Sequence, residues 1–185
     1  MANPYAFSMS PDRWVPPDLV GRIRAISIRW GSISITLGLL LIIAIPIFGY
    51  SLPTFYDPST VLTVGLGVIS ACCLVISGIG LIVARSYVST GYLKQRKEYT
   101  AIGVQLGTLI PAWLATIVFV PWYALSVTTS GNYSDQEQLH FTATIVLYIL
   151  LPVIAALGVT INLAIAYFLF FSSRHRSQFR SAPQA

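Results

Sequence analysis

Apolar residues along this chain come in four long blocks parted by short polar joints. A hydrocarbon core of about 30 Å takes about 20 helical residues at roughly 1.5 Å each. The blocks at residues 27–50, 61–84, 101–127 and 141–171 all reach that length, and none holds an Asp, Glu or Lys. The pattern therefore predicts four membrane-crossing helices, because backbone in oil must satisfy its own polar groups and a continuous helix does so. The expected fold class is an all-α integral membrane protein, a four-transmembrane-helix bundle over residues 27–171. An N-terminal segment (1–26) and a basic tail (172–185) flank it. A cleaved signal peptide is the competing reading of the first block, since Arg22, Arg24 and Arg29 precede or open an apolar run. The run is too long for that, and no small-residue cleavage site follows before Pro53.

Composition agrees with the pattern. The 185 residues are 55% hydrophobic and 9% charged, against roughly 25% charged in a soluble domain, so there is too little charge to coat a water-exposed surface. Charge placement adds orientation. Arg13, Arg22, Arg24 and Arg29 lie before or at the start of the first block, and Arg85, Lys94, Arg96 and Lys97 between the second and third. Arg174, Arg176 and Arg180 follow the fourth and complete the 11 basic residues. The joints at residues 51–60 and 128–140 carry no basic residue and hold Asp57, Asp135 and Glu137. Four crossings bring the three basic segments to one side, which the positive-inside rule makes cytoplasmic, with both chain ends there. A bacterial inner membrane or another plasma membrane is the expected location. Trp30, Tyr87 and Tyr99 at inner edges and Tyr50, Trp122 and Tyr123 at outer edges fit interfacial aromatic belts.

Ahead of the first block, Pro16-Pro17-Asp18 reads as a stop followed by a helix N-cap. Leu19, Ile23, Ile26 and Trp30 then recur at helical spacing opposite Arg22 and Arg29. Two readings stand: an amphipathic helix on an anionic leaflet, or a cytoplasmic extension of the first span. Residues 1–17 and the last dozen read as flexible ends.

Where helices meet in lipid, small residues permit close approach. The third block carries Gly103, Gly107, Pro111 and Ala115 at i+4 steps. The second carries Gly67, Ala71, Leu74 and Gly78 on one face, with Cys73 and Ser77 beside it. Both stripes are expected to face the bundle interior, which makes Gly67, Ala71, Gly78, Gly103, Gly107 and Ala115 the helix-packing residues. Pro46, Pro111, Pro121 and Pro152 each remove a backbone hydrogen bond and are expected to shape their helices.

Candidate chemistry is confined to a few polar residues. Gln105 in the third block, Asn162 in the fourth, Thr36 in the first and His140 at the outer start of the fourth are the ones worth naming. A membrane-embedded carboxylate, which a small proton-coupled carrier needs, is lacking. Gln105 and Asn162 are expected to hydrogen-bond across helices. Cys72 and Cys73 are adjacent, so their side chains diverge around a helix and cannot act as a spaced redox pair. Haem ligation wants buried His, whereas His140 and His175 fall outside the blocks. HExxH, CxxC, GxSxG and Walker patterns do not occur. Asn132-Tyr133-Ser134 matches a glycosylation sequon but sits close to the membrane and reads as accidental. No catalytic residue, cofactor, metal or nucleic acid is therefore expected. The partners expected are the lipid bilayer and either another membrane protein or a second copy. Arg22, Arg24, Arg29, Lys94, Arg96 and Lys97 are candidates to touch anionic lipid. The leading functional reading is a non-catalytic accessory or scaffold subunit acting by helix–helix association in a membrane complex. The alternatives are an oligomeric transporter or channel component and a lipid-binding or lipid-modifying protein.

Overall fold

The structure, a computed structural model, describes the backbone of residues 13–14, 17–50, 58–89, 92–93, 95–128 and 135–177. Side chains are described for 20–49, 61–86, 100–121, 146 and 148–169. Four helices carry the fold: α1 (Pro17–Tyr50), α2 (Pro58–Ala84), α3 (Gln95–Thr128) and α4 (Asp135–Ser177). All four are long and apolar enough to cross a membrane, over Val20–Gly49, Val61–Ala84, Thr100–Pro121 and Tyr148–Leu169. They overrun the apolar blocks at polar ends such as 95–99 and 172–177, because extending a nucleated helix adds a hydrogen bond for each residue fixed.

α1 runs unbroken from Pro17, so the segment before the first block extends that helix and is not a separate surface element. Pro17 suits the first helical position, where its missing N–H would have had no partner anyway. Asp18 accordingly falls in the first turn and is not the N-cap. Pro46, Pro111, Pro121 and Pro152 all lie inside continuous helices.

Successive helices are antiparallel, as their contacts show. Gly31 packs on Gly78, Gly38 on Ala71 and Gly49 on Val64, so numbering falls on α2 as it rises on α1. Ser77 meets Gln105 while Ser70 meets Thr116, and Thr116 meets Pro152 while Trp113 meets Thr160. This up-down-up-down order brings the start of α1, the α2–α3 connection and the end of α4 to one end of the bundle, the end holding the basic segments. α2 and α4 form the central pair, with α1 and α3 at opposite corners.

A minimal antiparallel sheet stands at the basic end. β2 (Val88–Ser89) pairs with β3 (Tyr92–Leu93), and β1 (Arg13–Trp14) adds to the free edge of β3, Arg13 opposite Leu93. A strand edge offers unpaired backbone groups to any extended segment within reach. The chain before α1 thus departs from a flexible end at Arg13 and Trp14.

The core falls into two clusters. One, around Leu41, Ile45, Leu74, Phe119, Tyr148 and Val159, fills the half remote from the basic segments. The other, around Ile23, Leu81, Ala84, Ala101 and Ala166, fills the basic end. The outer face is as apolar as the inside: Leu40 and Ile110 are 60% exposed and Phe168 68%. Apolar surface on that scale calls for an apolar surrounding.

The small-residue stripes divide. On α2, Gly67, Ala71 and Gly78 are buried and lie against α1, Gly67 on Ile45. On α3, Ala115 is buried, but Gly103 and Gly107 face outward, with nothing within 4 Å of where a Cβ would stand. The expectation that these two glycines pack within the bundle is corrected. Gln105 lies between them and points inward. At 3.6 residues per turn, a residue two positions away stands about 160° around the helix. α3 cannot bury both, and a primary amide left in oil without partners costs several kcal/mol.

Candidate functional site

One polar node joins all four helices. Ser34 of α1 donates through Oγ to Asn162 Oδ1 of α4 at 3.0 Å. Asn162 Nδ2 donates in turn to Ser77 Oγ of α2 at 3.0 Å. The Ser77 hydroxyl donates to Gln105 Oε1 of α3, and Gln105 Nε2 returns a bond to the Ser77 carbonyl at 3.0 Å. Ser34 is buried to 6% exposure and Ser77, Gln105 and Asn162 to 1% or less. A serine hydroxyl has one proton to give and lone pairs to receive, and Ser77 uses both, which makes it the hub. The node stands about 7 Å from the midpoint of the α2 span toward the basic end, by the rise per residue.

Sequence spacing explains how each helix presents its member. On α1, Ser27, Gly31, Ser34 and Gly38 alternate steps of four and three and share the buried face. On α2, Ser70, Ser77 and Ala84 recur every seven residues, again on the buried face. The small neighbours draw the backbones close enough for short side chains to meet. A Cβ on Gly31 would lie 2.7 Å from the Gly78 carbonyl oxygen, and one on Gly78 would lie 2.8 Å from that of Gly31. Against Gly80, the Gln105 amide fits with only 3.2 Å to the position of an added Cβ.

A second polar ladder ties α2, α3 and α4 together nearer the other end. Ser70 Oγ donates to the Ala112 carbonyl at 3.1 Å and lies 3.2 Å from Thr116 Oγ1. Thr116 Oγ1 is 2.8 Å from the Ala112 carbonyl and 3.3 Å from that of Pro152. Trp113 Nε1 donates to Thr160 Oγ1 at 3.0 Å, linking α3 to α4. Beside this ladder the Phe119 and Tyr148 rings pack at 5.2 Å between centroids, tilted by 53°. Chemically these groups are neutral amides, hydroxyls and an indole. Their arrangement orients helices and gives no group that would gain or release a proton near neutral pH.

Of the residues singled out from the sequence, Gln105 and Asn162 come together, bridged by Ser77, while Thr36 faces outward. Cys73 is buried and Cys72 partly so, both as free thiols. Arg22, Arg24 and Arg29 are exposed on α1. The side chains of Lys94, Arg96, Lys97, His140 and His175, those of Tyr50, Tyr87, Tyr99, Trp122 and Tyr123, and the Asn132 to Ser134 sequon lie outside the described residues. Sequence reasoning missed Ser34 and the hub role of Ser77, as well as Gly31 and Gly38. The seven-residue recurrence of Ser and Gly was the available signal.

Comparison with protein-family models, with curated proteins and with solved structures finds no match to this chain.

Proposed function

We propose that the protein is a multi-pass integral membrane protein with both ends cytoplasmic, a non-catalytic accessory or scaffold subunit that works by helix–helix association. The observation that carries this reading is the fate of the two intramembrane amides. Gln105 and Asn162 are both engaged in bonds that join helices, and in lipid such bonds with close small-residue packing are what hold a bundle to one shape. A bundle of fixed shape with an apolar outer face presents its lipid-facing surface to other membrane helices. The basic segments gathered at one end support the cytoplasmic orientation through the positive-inside rule. A bacterial inner membrane or another plasma membrane remains the setting that this charge asymmetry favours.

Purification from its native membrane in mild detergent tests the reading. A stoichiometric membrane-protein partner is expected, recovered again when the partner itself carries the tag. Recovery as a lone monomer across several detergents would count decisively against it. Cysteine labelling in intact cells tests orientation separately, with both tails and the α2–α3 connection expected to be shielded from an impermeant reagent.

A further inference from the structure

Arg29 lies inside the first candidate span, Val20–Gly49, and helix register fixes its level. Gly31 packs on Gly78 and Ile82, and Gly38 on Ala71 and Val75, so Arg29 stands level with about residue 82 of α2. Arg85, just past the end of α2, is about three residues further out, which places Arg29 about 4–5 Å deeper at the helical rise per residue. Arg29 is nevertheless exposed, on the outside of the bundle. Arg22 stands two turns above it on the same stripe, with Ile26 (38% exposed) between them and Ile33 (47%) and Leu40 (60%) below. Trp30, 40% exposed, adjoins it. The chain holds no Asp or Glu from Leu19 to Tyr56, nor in α2, nor at the matching levels of α3 and α4.

A guanidinium facing hydrocarbon without an anion is costly, and a long stem lets it reach outward to the headgroups. Its planar fork suits phosphate oxygens. Resting on the membrane-spanning reading above, we propose that Arg29, with Arg22 above it, binds the phosphate of an anionic phospholipid from the leaflet at the basic end. The acyl chains lie along Ile33 and Leu40, and Trp30 sits at the headgroup boundary. A zwitterionic headgroup brings its own cation beside two arginines, so an anionic one is selected. An acidic segment of a partner protein fits less well, since Arg29 roots below the depth at which water-exposed chain runs.

The test uses the full-length protein reconstituted in vesicles of equal parts phosphatidylglycerol and phosphatidylcholine. Integration is first checked by resistance to alkaline extraction, and the lipid retained after gentle detergent extraction is then identified by mass spectrometry. Wild type is expected to retain phosphatidylglycerol preferentially. Arg29→Gln is expected to lower that preference about fivefold, one basic residue's attraction to an anionic surface. Arg29→Lys should keep most of it, separating charge from any effect on folding, and Arg85→Gln should leave it unchanged. An integrated Arg29→Gln protein with the wild-type preference overturns the lipid site alone. So does an equal loss in Arg85→Gln, which would mark diffuse attraction, or Arg29-dependent retention of a protein in place of lipid. Failure of the wild type to integrate overturns the membrane reading instead.

Discussion

Gly78 and Gly107 are both glycines within apolar helices of one bundle, yet a methyl group added to each meets opposite circumstances. At Gly78 it would press on the Gly31 carbonyl oxygen at 2.8 Å and on Ile35, whereas at Gly107 it would meet nothing within 4 Å. The difference teaches that a small-residue stripe marks where backbones can approach, not where they do. On α2 the glycine stripe and Ser77 lie on the same side, so packing and hydrogen bonding favour one rotation. On α3 the stripe and Gln105 lie on opposite sides, and the amide wins because its desolvation outweighs the loss of one close contact.

Substitutions can break or sharpen this contrast, and the largest effect is expected at the α1–α2 crossing. Gly78→Val should destabilise the protein by about 3 kcal/mol, the upper end for overpacking, because a carbonyl oxygen cannot step aside as a side chain can. Unfolding in mixed detergent reads this, and a loss below about 1 kcal/mol would mean that the helices do not cross there. Ser77→Ala comes next. It removes the acceptor for Asn162 and the donor for Gln105, and about 2 kcal/mol is expected from the partners left buried. A double-mutant cycle with Asn162→Leu should show coupling of about 0.5 kcal/mol or more, and strict additivity would dissolve the node.

The opposite sign is expected on α3. Gly107→Ala should stabilise the isolated protein by roughly 0.5–1 kcal/mol through helix propensity alone. Marked destabilisation would show that this face is covered after all, by a turned helix or by a second copy, and crosslinking would separate the two. Smallest of all is Ser27→Ala. Ser27 Oγ is buried with no hydrogen-bond partner among the described residues, so its removal gives up no bond and should raise stability slightly, by about 0.5 kcal/mol.

Much of the architecture was legible in the sequence because hydrophobic length and charge placement are one-dimensional quantities. Each of the four apolar blocks falls inside one continuous helix, α1 to α4 in order. Gln105 and Asn162 were legible as interhelical donors because an amide in an apolar run has few other ways to be satisfied. The serines that receive them were not, since a serine on a membrane helix can bond to its own preceding turn, as Thr108 and Thr160 do here. The strand pairing of Arg13 and Trp14 was also hidden: two residues carry no periodicity, and their partners Leu93 and Tyr92 lie 80 and 78 positions away.

What the sequence determined by itself is the number of helices, the apolar block that each contains and the gathering of basic residues at one end, all set by the energy of placing polar groups in oil. What only the tertiary structure decided is each helix's rotation about its own axis. That angle depends on which polar groups find each other across the bundle, and Ser77 meeting both Gln105 and Asn162 is a fact about three helices that no single one contains.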